Sequence, residues 1–204
     1  MTILSVNKTR ESDGRNALIF LLGAGMDCAH FFTFRMNFMT QKARYLAHGA
    51  LIAALYAALT HAQNLLLPNS ASMAIQFRLS EALCVLAFFT PAAIPGLTVG
   101  CLLFNIIFAG ALPLDPLVGS LATLIAVYLM YRLRNIRIGK LPVLGLMMPA
   151  LTNAFLVGWE LTVYIGGGFW LNALYVAIGE AAVLLIPGSV LYTVIRRRQL
   201  DRFL

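Results

Sequence analysis

Long apolar segments with very few charged residues constrain the fold of this chain most strongly. They lie near residues 46–66, 82–93, 94–111, 117–131, 141–164 and 170–194. A helix needs about 20 apolar residues to cross a bilayer. The segments are continuous in Leu, Ala, Ile and Val, whereas strands of a membrane barrel would alternate. The sequence therefore predicts an all-α integral membrane protein, a six-helix bundle with one short helix.

Composition and charge distribution support this prediction. Sixty per cent of the residues are hydrophobic and only 11% are charged, against roughly 25% charged in a soluble domain. Ten basic residues fall where six alternating helices would place them on one side: Lys42, Arg44, Arg132, Arg134, Arg137, Lys140, Arg196, Arg197, Arg198 and Arg202. Cytoplasmic loops retain Lys and Arg, so we expect cytoplasmic termini and a multi-pass cell-membrane protein. The net charge of +7 is then a topology signal, with no nucleic-acid partner implied.

The first 38 residues differ from the rest. Residues 2–16 are polar, and the apolar run 17–34 contains Asp27 and His30. A central Asp costs about 2.5–3.5 kcal/mol on insertion scales, which disfavours a seventh span. We expect residues 1–38 to be a mobile extension or an over-called start, and residues 39–204 to form the membrane domain.

Polar residues inside the apolar segments are the candidate functional residues. Asn153 and Glu160 share one helical face, and Asn172 and Glu180 roughly share another. Intramembrane acids normally face the bundle interior or a wet cavity. Lining a cavity and pairing with a structural partner both remain open for these acids. Asp115-Pro116 is typical of an N-cap followed by a first-turn proline.

Two further features lie at the predicted outer side. Arg78 is the only Arg or Lys between Tyr45 and Tyr131, and Glu81 follows three positions later, within reach for an ion pair across one helical turn. Either they belong to a lid formed by residues 67–79, or they contact a solute directly. Aromatic residues surround the turn at Gly166-Gly167-Gly168, where they could sit at lipid headgroups or roof a pocket: Trp159, Tyr164, Phe169, Trp170 and Tyr175.

The first apolar segment carries small residues every four positions, at Ala50, Ala54, Ala58 and Ala62. Small residues allow another helix to approach closely. This stripe fits either docking of a partner or packing within the bundle. Gly96 and Gly100 form a related pair, for which internal packing is the simpler interpretation.

No catalytic, metal or cofactor motif stands out. Cys28, Cys84 and Cys101 lack metal spacing and are expected to be packed thiols, while His30, His48 and His61 are scattered. The sequence has no GxxxxGK[ST] phosphate loop, no HExxH and no visible nucleophile and base pair. We therefore expect no enzyme activity, no metal and no cofactor.

Three stretches resemble one protein family. They are residues 74–83 (AIQFRLSEAL), residues 95–101 (PGLTVGC) with Asn105, and residues 115–123 (DPLVGSLAT). Together they resemble the QueT family, the substrate-binding (S) components of energy-coupling factor (ECF) ABC transporters for vitamins and related micronutrients. The resemblance covers about residues 40–196.

The resemblance implies a solute, partners and site residues. An S component captures its solute outside, then docks on a transmembrane coupling subunit served by two ATPase subunits. Ala50, Ala54 and Ala58 match the docking pattern of the family. The implied solute is a queuosine precursor, a deazaguanine base. The expected binding residues are Glu180, Glu160, Asn153, Trp170, Asn105, Arg78, Glu81 and Gln76, with Trp170 or Phe169 stacking on the ring.

Two alternatives remain open. One is an S component for another micronutrient such as cobalamin, because related bundles accept unrelated solutes. The other is a membrane protein with no transport function, either an enzyme or a scaffold.

Overall fold

The computed structural model describes residues 41–67, 77–107, 112–139 and 141–200. Its elements in chain order are α1 (Gln41–Leu66), a 3₁₀ helix (Leu79–Phe88), α2 (Ala93–Ile107), α3 (Asp115–Leu133), α4 (Val143–Leu146), α5 (Met148–Tyr164), α6 (Phe169–Val183), a π-helical turn (Leu184–Gly188) and α7 (Ser189–Arg197). The described residues contain helices and one isolated bridge, Ile138 to Leu141. The predicted all-α fold is confirmed.

Four helical stretches are long and apolar enough to cross a membrane: Gln41–Leu66, Asp115–Leu133, Val143–Tyr164 and Phe169–Arg197. Leu79–Phe88 and Ala93–Ile107 are shorter apolar helices. These six stretches correspond to the six predicted segments, and they make the chain a helical bundle of the membrane type. The predicted extension 1–38 lies outside the described residues, so the division at residue 38 stays a prediction.

The second and third segments are separated by a break that local chemistry explains. The 3₁₀ helix ends at Phe88, and the hydroxyl of Thr90 accepts the N–H of Ala92 at 3.3 Å at the start of α2. Pro91 cannot donate a backbone hydrogen bond and restricts the residue before it. The helix predicted at 82–93 therefore ends five residues early, and Ala93 belongs to α2.

The last segment stays continuous across a proline. Pro187 lies inside the π-helical turn that joins α6 to α7. A proline removes one backbone donor and crowds the preceding turn, and a single π turn is a common way to absorb that disturbance. The stretch Phe169–Arg197 thus remains 29 residues long.

Contacts between helices define two ends of the bundle. At one end, Gly145 lies against Phe88 and Leu133. The ring of Tyr192 packs on that of Phe88 here, with the two ring centroids 5.7 Å apart. The basic residues that follow α3 and end α7 lie here, and we call this the basic end. At the opposite end Asn105 bonds to Asp115, and Gln63 bonds to the start of the 3₁₀ helix. The main apolar core, which includes Val85, Leu97, Met130 and Leu184, lies between the ends and reaches the basic end.

Helices α1 and α2 cross at small residues. A Cβ on Gly96 would lie 2.7 Å from the carbonyl oxygen of Gly49, and one on Gly100 would lie 2.8 Å from that of Ala53. Both glycines are required because no side chain fits between the two backbones. Internal packing is therefore confirmed for Gly96 and Gly100.

Candidate functional site

The 3₁₀ helix aligns three polar side chains toward the bundle interior. With about three residues per turn, side chains at positions i and i+3 eclipse one another. Arg78 precedes the helix, and Glu81 and Cys84 follow at that spacing. Their exposed fractions are 4%, 1% and 0%. The thiol of Cys84 donates to Oε2 of Glu81 at 3.0 Å.

Helix α1 anchors the 3₁₀ helix through one polar face. The hydroxyl of Tyr56 donates to Oε1 of Glu81 at 2.5 Å, and the hydroxyl of Thr60 donates to that of Ser80 at 2.7 Å. One turn further, Oε1 of Gln63 accepts the N–H of Leu79 at 2.6 Å, and its amide donates to the carbonyl of Phe77. Positions 56, 60 and 63 follow the helical period, so one face of α1 fixes the position of Glu81.

Helix α3 contributes Asp115 at its first turn. Oδ2 of Asp115 accepts the N–H of Leu112 at 3.0 Å, and its backbone carbonyl accepts the amide of Asn105 at 3.0 Å. A Cβ on Gly119 would lie 2.9 Å from that amide nitrogen and 4.0 Å from a guanidinium nitrogen of Arg78. Gly119 therefore leaves room for both polar groups beside α3.

Helices α5 and α6 supply two further acids. Glu160 and Glu180 are 0% and 1% exposed. The side chain of Asn153 lies beside the carboxyl group of Glu180. Glu160 interacts with Asp115, while Glu180 interacts electrostatically with Glu81.

These groups form one polar centre, which we call the carboxyl cluster: Arg78, Glu81, Asp115, Glu160 and Glu180. The guanidinium of Arg78 interacts electrostatically with each of the four acids. Four carboxyl groups thus surround one guanidinium in a buried site. Because the carboxyl groups outnumber the guanidinium, added positive charge or hydrogen-bond donors would be favourable there.

Five buried oxygens in or beside the cluster have no hydrogen-bond partner among the described residues. They are Oδ1 of Asn105, Oδ1 of Asp115, both carboxyl oxygens of Glu160 and Oε2 of Glu180. An unpaired buried polar atom costs about 1–3 kcal/mol. All five atoms can accept hydrogen bonds.

Six of the predicted binding residues lie in this region: Glu180, Glu160, Asn153, Asn105, Arg78 and Glu81. Trp170 does not, since it is 75% exposed and its ring contacts that of Phe169 at 5.1 Å. Gln76 lies outside the described residues. Asn172 bonds to Thr162 and to the carbonyl of Gly166, both at 3.0 Å, and so closes the turn between α5 and α6.

The remaining predicted residues are distributed as follows. Trp159 and Tyr164 are exposed, as are Ala50, Ala54 and Ala58 on α1. Cys84 and Cys101 are free, buried thiols, as predicted, and Cys28 lies outside the described residues. Within the described ranges no group of three or more His, Cys, Asp or Glu residues could hold a metal ion.

The prediction for Asp115 was wrong. Leu114 occupies the N-cap position of α3, and Pro116 follows in the first turn as predicted. The Asp115 carboxylate turns back to the N–H of Leu112 rather than capping the helix. The sequence Asp-Pro at the start of a helix looks the same whether the Asp caps the helix or lies in its first turn. The available signal was that Asp115 is one of only two acids between Tyr45 and Tyr131.

Fold and site together define a helical membrane protein that encloses a carboxyl-rich polar centre. The model of one family, described as QueT transporter, matches residues 46–197. The chain therefore belongs to the QueT transporter family, as the sequence resemblance predicted. No curated protein and no solved structure gives a significant match.

Proposed function

We propose that this chain is the membrane-embedded substrate-binding subunit of an ECF-type ABC importer in the cell membrane. It captures a queuosine precursor, a deazaguanine base, from outside. It then docks on a coupling subunit that two ATPase subunits drive. As a member of a transporter family, the chain moves a solute rather than converting it.

The observation that carries this proposal is a set of buried acceptor oxygens around the carboxyl cluster, five of which have no partner within residues 41–67, 77–107, 112–139 and 141–200. A guanine-type edge offers a ring N–H and an exocyclic amine side by side. One carboxylate accepts both donors, and hydrogen bonds to a charged group contribute about 1.5–3 kcal/mol each. A phosphate-rich solute would instead meet four carboxyl groups and be repelled.

Glu180 is the residue best suited to read that edge. Its carboxyl group lies beside Asn153, and its Oε2 has no hydrogen-bond partner in the part of the chain that the structure describes. A carboxylate fixed by a neighbouring amide loses less entropy when the solute binds. We assign the edge of the base to Glu180, with Asn153 as its positioning residue.

The positions of the Arg residues indicate how the protein is oriented in the membrane. Arg132, Arg134, Arg196, Arg197 and Arg198 lie at the basic end. Cytoplasmic sides of membrane proteins carry such residues. The polar contacts of Asp115, Gln63 and Asn172 lie at the opposite end, which would face outside. A solute from outside would therefore enter at the end nearest Asp115.

The exposed small residues of α1 support the docking step. Ala50, Ala54 and Ala58 face away from the bundle, so a partner helix can approach closely there. Beside them, α1 and α2 form an apolar groove of about 240 Å³. Its lining residues are Tyr45, Leu46, Gly49, Ala50, Ala53, Pro95, Gly96 and Val99.

Thermal stabilisation of the purified protein in detergent tests the proposal. A ligand at about 100 times its Kd stabilises the folded state by about 2.7 kcal/mol, which raises the Tm by about 5–11 °C at this size. We expect that shift with a deazaguanine and none with adenine, whose corresponding edge lacks the paired donors. A shift with neither base, or an equal shift with both, would refute the proposed recognition.

A further inference from the structure

We propose that the basic end carries a binding site for an anionic phospholipid of the surrounding bilayer. The end of α3, the turn between α3 and α4, and the end of α7 form this site. Guanidinium groups bind the phosphate of the headgroup, and two exposed isoleucines of the turn contact the acyl chains. The site involves none of the residues of the carboxyl cluster, so it stands whichever solute the protein binds.

Packing at the basic end brings two groups of arginines to one surface. The described members are Arg132, Arg134, Arg137, Arg196, Arg197 and Arg198. Gly145 lies beside both Phe88 and Leu133, and the ring of Tyr192 packs on that of Phe88. Leu133 lies among the first three arginines, and Tyr192 lies one helical turn before the last three. The ends of α3 and α7 therefore reach the same side of the bundle.

These arginines have no acidic neighbour in the part of the chain that the structure describes. The acids of that part are Glu81, Asp115, Glu160 and Glu180, which all belong to the carboxyl cluster and are buried. Six cations at one surface repel one another, and anions placed among them relieve that repulsion. The cytoplasmic leaflet of a membrane supplies such anions as lipid headgroups. The excess of positive charge therefore favours an anionic lipid over a zwitterionic one.

Two of the arginines are positioned by tyrosines of α3. The guanidinium carbon of Arg134 lies 3.9 Å from the centroid of the Tyr131 ring, and its Nη1 donates to the Tyr131 carbonyl at 2.9 Å. The guanidinium carbon of Arg132 lies 5.9 Å from the centroid of the Tyr128 ring, and its Nη1 donates to the Tyr128 hydroxyl at 3.4 Å. Tyrosines are enriched at the headgroup level of membranes. A planar guanidinium held at that level matches a phosphate and loses less entropy on binding it.

The turn between α3 and α4 adds an apolar contribution. Ile136 and Ile138 flank Arg137 and are 49% and 67% exposed. The N–H of Ile138 donates to the carbonyl of Leu141 at 3.0 Å, and Gly139 permits the reversal with a φ of +67°. Large aliphatic side chains beside a cation are unfavourable in water but suit the boundary between headgroups and acyl chains. The turn therefore fits a lipid better than a water-soluble phosphate, which has no acyl chain to offer.

Thermal unfolding of the purified full chain in a non-ionic detergent tests the site. The probes are phosphatidylglycerol, zwitterionic phosphatidylcholine, and glycerol phosphate as an anion without acyl chains. At about ten times its Kd, phosphatidylglycerol should raise the Tm by about 3–6 °C, and the other two by less than about 1 °C. An equal shift with phosphatidylcholine would overturn the role of the arginines. An equal shift with glycerol phosphate would overturn the assignment to a lipid.

Arg134→Gln should weaken binding of phosphatidylglycerol by about fivefold, the contribution of one basic residue at an anionic surface, and so reduce the Tm shift by about half. Lys42→Gln is the matched control, because it removes one positive charge from the same predicted side of the membrane and is not part of the proposed site. It should keep the shift within about 1 °C of wild type. The Tm of each variant in phosphatidylcholine shows whether it is folded. Equal losses in both variants, or no loss in Arg134→Gln, would overturn a defined site.

Ile138→Ser is a second variant that retains every charge. It should also reduce the shift with phosphatidylglycerol by about half or more, since an exposed isoleucine that contacts acyl chains contributes about fivefold in affinity. An unchanged shift in Ile138→Ser would show that the turn does not contact the lipid and would overturn that part of the site.

Discussion

Replacing Tyr56 by Phe should destabilise the protein by removing the hydroxyl that holds Glu81. Tyr56 is 0% exposed, and its hydroxyl donates to Oε1 of Glu81 at 2.5 Å. Glu81 is itself 1% exposed, so water does not replace the lost donor. The thiol of Cys84 serves the other carboxyl oxygen. The perturbation therefore removes one hydrogen bond to a buried carboxyl group and leaves the aromatic ring in place.

The expected magnitude follows from the chemistry of that bond. A hydrogen bond to a charged group contributes about 1.5–3 kcal/mol net. For a chain of about 200 residues each kcal/mol changes the Tm by about 2–4 °C. We therefore expect Tyr56→Phe to lower the Tm by about 3–12 °C in a thermal unfolding experiment in detergent without ligand.

Tyr192→Phe is the matched control for this experiment. Tyr192 is 4% exposed, and its ring packs on Phe88 and Phe89. Its hydroxyl makes no hydrogen bond to a described residue, so the same substitution should change the Tm by less than about 2 °C. Equal Tm changes in the two variants would contradict the anchoring of the 3₁₀ helix by α1. In a double-mutant cycle, Tyr56→Phe should also lose most of its effect when Glu81 is already Leu, which has no hydrogen-bond acceptor.

Three further predictions follow from the packing and exposure of single residues. Gly100→Ala should destabilise the protein by about 1–3 kcal/mol, the usual cost of overpacking, because the new Cβ would lie 2.8 Å from the carbonyl oxygen of Ala53. Gly168→Ala is the control in the same unfolding assay, since a Cβ at that position would meet open space. Trp170→Phe should leave the Kd for a deazaguanine within about twofold, since the side chain is 75% exposed; a loss as large as that of Glu180→Gln would restore Trp170 to the site. Ala54→Trp should abolish solute uptake in cells while solute binding in detergent persists, because it adds a large side chain to the proposed docking stripe. Leu174→Trp, on the exposed surface of α6, should leave both uptake and binding intact.

The fold was predictable because apolar segment length and charge position are read directly from sequence. The type and the ends of the individual helices were harder to predict. Continuous apolar residues do not distinguish a 3₁₀ helix from an α-helix, and the end of the 3₁₀ helix at Phe88 depends on how Thr90 and Pro91 begin α2. Gly96 and Gly100 were assigned correctly because paired small residues four apart mark a close helix crossing.

The carboxyl cluster was predictable only in part. Glu160 and Glu180 could be recognised because acids within apolar membrane segments are costly and usually have a functional or structural partner. Tyr56 gave no such signal, because its bond to Glu81 joins two segments whose register the sequence does not specify. Asp115 was missed because a helix-start acid has an ordinary local explanation. The proposed contact of Trp170 depended on the direction of one side chain at a turn, which local sequence does not determine.

Calorimetric titration of the purified full chain with a deazaguanine base tests the central claim most directly. We predict saturable binding of one base per chain in the wild type, weakened by about 10-fold or more in Glu180→Gln. No saturable heat with the wild type at any accessible concentration, or an unchanged Kd in Glu180→Gln, would contradict the claim that the carboxyl cluster is the solute site.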